Sequence, residues 1–201
     1  MVVENIEYET TIVGFHGTLY KIATKILTGN FKKGRFRDNH WLGQGVYFFR
    51  DDYEQAKSWA MPIMNKAKEN GAVLMTKLEV KSENFLNLDS RKGLQDFKKF
   101  KDSYLQFCID EKLEITADKD VLRCAICDEL PEEIKVIQRT FKGNSKFNDS
   151  LEDVSLFLHG QQICVRDTGI IDEKKTSLHG VVYYNEKMKK PKKKKPKIEF
   201  S

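Results

Sequence analysis

Thr11-Ile12-Val13-Gly14-Phe15-His16-Gly17-Thr18 is the stretch from which the rest of the chain can be read. It is short, apolar and β-branched at its centre, which predicts a strand. Directly after it, Leu19, Ile22, Ala23, Ile26 and Leu27 recur at helical spacing. Thr18 is placed to cap that helix and Gly29 to end it. On a strand, His16 shares a face with Ile12 and Gly14, while Val13 and Phe15 face the other way.

Working outward, residues 30–42 are polar, basic and glycine-containing, hence a loop, and residues 45–50 read as a second strand. Asp51 or Asp52 can cap a second helix with Tyr53, Ala56, Ala60, Ile63, Met64 and Ala67 on one stripe, and Pro62 is expected to kink or shorten it. Residues 72–80 look like a buried strand. Leu94, Phe97, Phe100, Tyr104, Phe107 and Cys108 predict a helix over 91–110, capped by Asp89 or Ser90. Strand-like runs follow at 120–127, 133–141, 155–166 and 178–184, with a turn-rich loop at 143–152. The order of strand, helix, strand, helix and then mostly strands implies a strand-rich α+β domain over residues 1–186.

Composition excludes several classes. The 201 residues are 40% apolar and 32% charged, and no run approaches the roughly eighteen apolar residues of a membrane span. Met1–Thr11 does not read as a signal peptide, so a cytoplasmic life is the expectation. The net charge of +5 is uneven: residues 187–201 carry +7, and the other 186 carry −2. That Lys/Pro-rich tail cannot bury a core and is expected to be disordered. It would attract polyanions and, in a eukaryotic host, act as a nuclear import signal. Cys124-Ala125-Ile126-Cys127 invites a zinc reading. On a strand, however, residues three apart face opposite ways, so buried, inert thiols are expected.

Two glycines flank the second strand in Trp41-Leu42-Gly43-Gln44-Gly45-Val46-Tyr47-Phe48-Phe49. Glycines at a strand entry suggest close backbone approach or a special turn. A Gly-x-Gly-x-x-Gly fingerprint is missing, since position 48 is Phe, so a Rossmann domain is disfavoured. His16-Gly17-Thr18 followed by Gly45-Val46-Tyr47-Phe48 resembles the nicotinamide pocket of the ADP-ribosyltransferases of the diphtheria toxin and poly(ADP-ribose) polymerase type. The resemblance implies split, mainly antiparallel sheets with flanking helices, and NAD as donor of ADP-ribose. It also implies site roles: His16 bonds a ribose hydroxyl, the Gly17 backbone grips the carboxamide, and Tyr47 stacks on the nicotinamide. Thr18 and Gly45 complete the pocket, and Trp59 is either a second pocket wall or helix core.

The same resemblance asks for a carboxylate at the start of a late strand. The matching segment is His159-Gly160-Gln161-Gln162-Ile163-Cys164-Val165-Arg166, which puts Gln162 there. Strand alternation places Gln162 with Cys164, opposite Ile163 and Val165. A glutamine can accept a hydrogen bond, but it supplies neither negative charge nor a general base. His16, Tyr47 and Gln162 therefore imply single transfer rather than polymer synthesis. The expected acceptor is a macromolecule: RNA, DNA or a nucleic-acid-bound protein. The overall style is similar to compact bacterial or phage toxin-type transferases, which implies an antitoxin partner. A catalytically silent NAD or ADP-ribose binding module is the alternative. A nucleic-acid interaction protein with an accidental motif is a third.

Overall fold

The computed structural model describes residues 7–142 and 159–185. The 143–152 loop, the first part of the 155–166 run and the basic tail lie outside the described residues. In chain order the elements are β1 (Glu9–Leu19), α1 (Tyr20–Gly29), β2 (Val46–Arg50), α2 (Tyr53–Ala67) and β3 (Gly71–Lys81). They continue with β4 (Phe85–Asn87), α3 (Arg91–Asp110), α4 (Lys119–Asp128), β5 (Val136–Lys142), β6 (His159–Val165) and β7 (Thr176–Val182). The strands form one sheet in the order β4-β5-β6-β2-β1-β3-β7, and only β4–β5 is parallel. This is an α+β fold with a mainly antiparallel sheet.

The sheet is covered on both faces. Ile12, Phe48, Leu74, Ile163 and Val165 pack with Ala23, Ile26 and Leu27 of α1. On the opposite face Ile137 and Cys164 pack with Phe97 and Phe100 of α3 and Cys127 of α4, and Phe15 and Val73 pack against Ala56 of α2. Side-chain alternation along β6 is as read from the sequence, but both of its faces are buried: Ile163, Cys164 and Val165 are each 0% exposed.

Three local expectations need correction. Thr18 does not cap α1; it is still in β1, and the N-cap is Leu19, which makes no side-chain cap bond. The first helical N–H, of Tyr20, is satisfied from a distance by the Asn70 carbonyl at 2.9 Å. α2 runs through Pro62 to Ala67. The proline removes only the N–H that would reach the carbonyl of Ser58, and Ser58 is exposed, so solvent can serve that group.

The third correction is the largest. Residues 120–127 are not a strand but most of α4, whose N-cap Asp118 accepts from the N–H groups of Asp120 and Val121. A seven-residue run with six apolar members and one arginine is ambiguous between strand and buried helix by periodicity, and the Asp118 cap decides it. Cys124 and Cys127 therefore lie on one side of a helix, and the opposite-faces reasoning about zinc falls away. Both thiols are buried. Burial, reinforced by Asp128, pushes the Cys127 thiol up to about 12, so in the metal-free protein it is a neutral, packed thiol at physiological pH. Among the described residues no group of three or more His, Cys, Asp or Glu is placed to hold a metal ion.

Candidate functional site

β1 and β2 are joined by only a short ladder, Gly14–Arg50 and Phe15–Phe49. Past Phe15, β1 continues along β3 as far as Leu19–Gly71 without a pair on β2. A cleft of about 980 Å³ opens at this end of the junction, toward the upper end of ligand-pocket volumes. Its walls come from both faces of the sheet: His16 and Phe48 from the α1 face, and Tyr47, Phe49 and Gln162 from the α2 face. Gly17, Thr18, Gly45 and Trp59 also line it, so all seven residues singled out in the sequence meet in one cavity.

His16 is half-buried, with its ring edge-on to Phe31 at 5.4 Å. Its Nδ1 lies 2.8 Å from the Tyr47 carbonyl, and a carbonyl can only accept, so Nδ1 carries the proton. Burial holds the imidazole below its ordinary pKa, with the Tyr47 bond opposing this only in part. At neutral pH the ring is uncharged and Nε2 is an acceptor.

Gly17 serves a purpose beyond the one expected of it. A Cβ there would overlap the Ala56 carbonyl and crowd the Ala60 nitrogen, so the glycine lets α2 sit directly on the strand. Gly45 has the same character: a Cβ would collide with Cys164 Sγ and the Val165 carbonyl of β6. Gly43 is the special turn, with φ +77, where a side chain is strained.

Tyr47 is committed on both its hydroxyl and its face. The hydroxyl accepts from Leu42 N–H at 2.8 Å and donates to the Gly43 carbonyl at 2.7 Å. Burial, then Cys164, raises its pKa well above the usual phenol range. The ring stacks on His40 at 5.6 Å with a 19° tilt. Its geometry is thus that of a ring already holding a flat nitrogen heterocycle, and any other ring on that face displaces His40. Trp59 is 53% exposed and stands edge-on to Trp41 at 6.3 Å, so it is a cleft wall and not helix core.

Gln162 is 6% exposed, yet its carboxamide makes no hydrogen bond to any described residue. Of its register neighbours, Phe49 has no polar group and Arg139 bonds the Leu88 carbonyl and pairs with Asp89, so the amide is left to the cleft it lines.

Sequence reasoning missed the parts that hold this site in place. Asp128 of α4 accepts from the Gln44 N–H, and Arg123 Nε donates to the Trp41 carbonyl at 2.7 Å. Arg166, at the end of β6, in turn grips α4: its guanidinium donates to the carbonyls of Asp128, Leu130, Pro131 and Ile134 at 2.6–3.0 Å. Only the Asp128 carbonyl belongs to α4, and the other three tie down the segment that leaves it. Lys25, which sequence reasoning missed, joins Lys32, Arg35 and Arg37 of the basic loop before Trp41 in the cleft wall; no Asp or Glu stands among the described lining residues.

No known protein family's sequence profile matches the chain. Over 69 residues, 34% of the chain, it is 35% identical to the uncharacterized protein MJ0359 of Methanocaldococcus jannaschii. The match takes in 30% of that protein, so the chain spans under a third of this relative's length. No helix among the described residues is long and apolar enough to cross a membrane.

Proposed function

We propose that this chain is a NAD-dependent mono-ADP-ribosyltransferase that moves one ADP-ribose to a macromolecular acceptor. The observation that carries the reading is the convergence of residues 16–18, 45–47, 59 and 162 on one cleft. The mixed α+β fold with mainly antiparallel strands and flanking helices accords with that reading, but the strands form one continuous sheet and not the split sheets the resemblance implies.

In the reaction the bond from ribose C1′ to the pyridinium nitrogen breaks and nicotinamide leaves with the bonding pair. Positive charge develops on the sugar, a lone pair of the acceptor closes on C1′, and the acceptor's proton, where it has one, passes to solvent or to a base of the target. His16 Nε2 is an acceptor for a ribose hydroxyl, and the Gln162 amide, which has no partner among the described residues, is another. The Tyr47 face suits a flat heterocycle, as its stack with His40 illustrates. Lys25 and the basic residues of the 32–37 loop are more than enough to neutralise the two charges of the pyrophosphate.

The absence of a carboxylate from the lining favours a second reading, a silent NAD or ADP-ribose binding module. The two separate when full-length protein is incubated with adenylate-labelled NAD and mixed RNA, DNA and protein. Label transfer with nicotinamide release, lost in Tyr47→Ala, supports the transferase. NAD binding without nicotinamide release supports the module. No NAD binding at millimolar concentration removes both. The toxin-like style of the motifs adds an antitoxin as the expected partner.

A further inference from the structure

Resting on the transferase reading above, we propose that the acceptor is single-stranded nucleic acid. Its bases stack along the strip Trp59–Trp41–Phe141, and its backbone lies on Lys32, Arg35 and Arg37.

Three observations lead there. The first is charge. The cleft lining carries four cations and no carboxylate. The pyrophosphate of NAD answers only part of that charge, and its nicotinamide ring adds a positive one. The molecule that enters with NAD is therefore anionic. The second is the row of rings leaving the cleft mouth. Trp59 is 53% exposed and Trp41 39% exposed, 6.3 Å apart; Trp41 then meets Phe141 at 4.8 Å, and the Arg123 guanidinium lies over Phe141 at 5.7 Å. Phe141 and Arg123 do not line the cleft, so the strip runs beyond the NAD pocket. Two exposed indoles, continued by the half-buried Phe141 and set beside cations, are a platform on which a base can stack. An acidic peptide would satisfy the charge but offers no flat rings.

The third is the missing base. Gln162 cannot take a proton from an acceptor. Nucleic acid carries nucleophiles that need none: ring nitrogens with free lone pairs, and phosphate oxygens already ionised. A serine or lysine acceptor lacks that advantage.

Full-length protein is titrated into dye-labelled oligothymidylate and oligouridylate, and into duplexes of equal length, without NAD and across a salt series. The salt series separates stacking from the polyelectrolyte attraction of Lys187–Lys197, which fades as salt rises. The single strand is expected to bind more tightly than the duplex at high salt and to quench tryptophan fluorescence. Trp59→Ala and Phe141→Ala each weaken it about tenfold at an unchanged salt slope. Arg35→Ala combined with Arg37→Ala lowers the slope by about two. Trp59 is exposed, so its variant reads binding even if Phe141→Ala misfolds. Equal binding of duplex and strand, wild-type affinity in both ring variants, or displacement by oligoglutamate overturns the proposal. NAD binding is measured separately by calorimetry. Strand binding as described without NAD binding removes the transferase reading and leaves the strand surface standing. NAD transfer to other acceptors, with the strand indifferent to the rings, removes the strand and leaves the transferase.

Discussion

Gln138 and Gln162 are buried amides on neighbouring strands of one sheet, and the fold treats them in opposite ways. Gln138, 2% exposed, accepts from Arg50 Nη1 at 2.7 Å and donates to Asn87 Oδ1 and Asp89 Oδ2 at 3.2 and 3.3 Å. Asp89 also gathers the Thr140 N–H and hydroxyl and the Gln161 amide. That network ties β2, β5, β6 and the turn after β4 together. Gln162, one register step away, has none of this and faces a cleft. A buried amide held by three described partners specifies a fold; one turned to a cleft is left to bond solvent or a ligand.

The contrast is tested hardest at Gln162 itself. Gln162→Glu places a carboxylate where the sugar's positive charge develops, in a lining that is otherwise cationic. Nicotinamide release is expected to rise by about 10²–10³-fold, the scale of one well-placed electrostatic group. An unchanged rate would move position 162 away from the reacting carbon.

Next in size is Gln138→Leu. It strips Arg50, Asn87 and Asp89 of a partner together, and a loss of about 2–3 kcal/mol is expected in denaturant melts. Gln162→Leu makes the same chemical change with a different result. Stability stays within about 1 kcal/mol of wild type, because no described partner is orphaned. NAD affinity, read by calorimetry, falls about tenfold. Equal losses of stability in the two leucine variants would erase the distinction.

The smallest expected effect is in the pH dependence of stability. Asp89 is pushed up by burial and pulled further down by its Thr140, Gln161 and Gln138 donors, so its folded pKa lies below 3.8. Its contribution is present above the unfolded carboxylate value and is lost as pH falls through the folded one. His16 is held below 6.5 by burial, so its contribution is present above 6.5 and is likewise lost as pH falls through its folded value. Melting temperature should drop in two steps on acidification. His16→Gln removes the one nearer neutrality, and Asp89→Asn removes the lower one.

Much of this was legible in the chain. β1, β2, β3 and α3 announce themselves by period, and Ser90 caps α3 through the Gly93 N–H as its position suggested. α4 was not legible, because its apolar run fits two periods and its cap lies in an otherwise unremarkable acidic stretch. The glycines were read correctly as places of close approach or special turn. What approaches was not visible: a helix backbone at Gly17 and a neighbouring strand at Gly45. The apolar period marked α3 correctly without saying which of its residues are covered: Leu94 and Phe107 are 47% and 55% exposed.

The sequence by itself determined the alternation of each strand, the helix stripes and the residue types able to handle a flat cation and its ribose. These depend on near neighbours along the chain. That His16 and Gln162, on opposite faces of the sheet, share one cavity was decided only by the tertiary structure, because it depends on where the β1–β2 ladder stops. So was the fate of the two glutamines. Nothing near them in sequence distinguishes them. Arg50, Asn87 and Asp89 come from distant parts of the chain to satisfy one amide, and none of the described residues comes to satisfy the other.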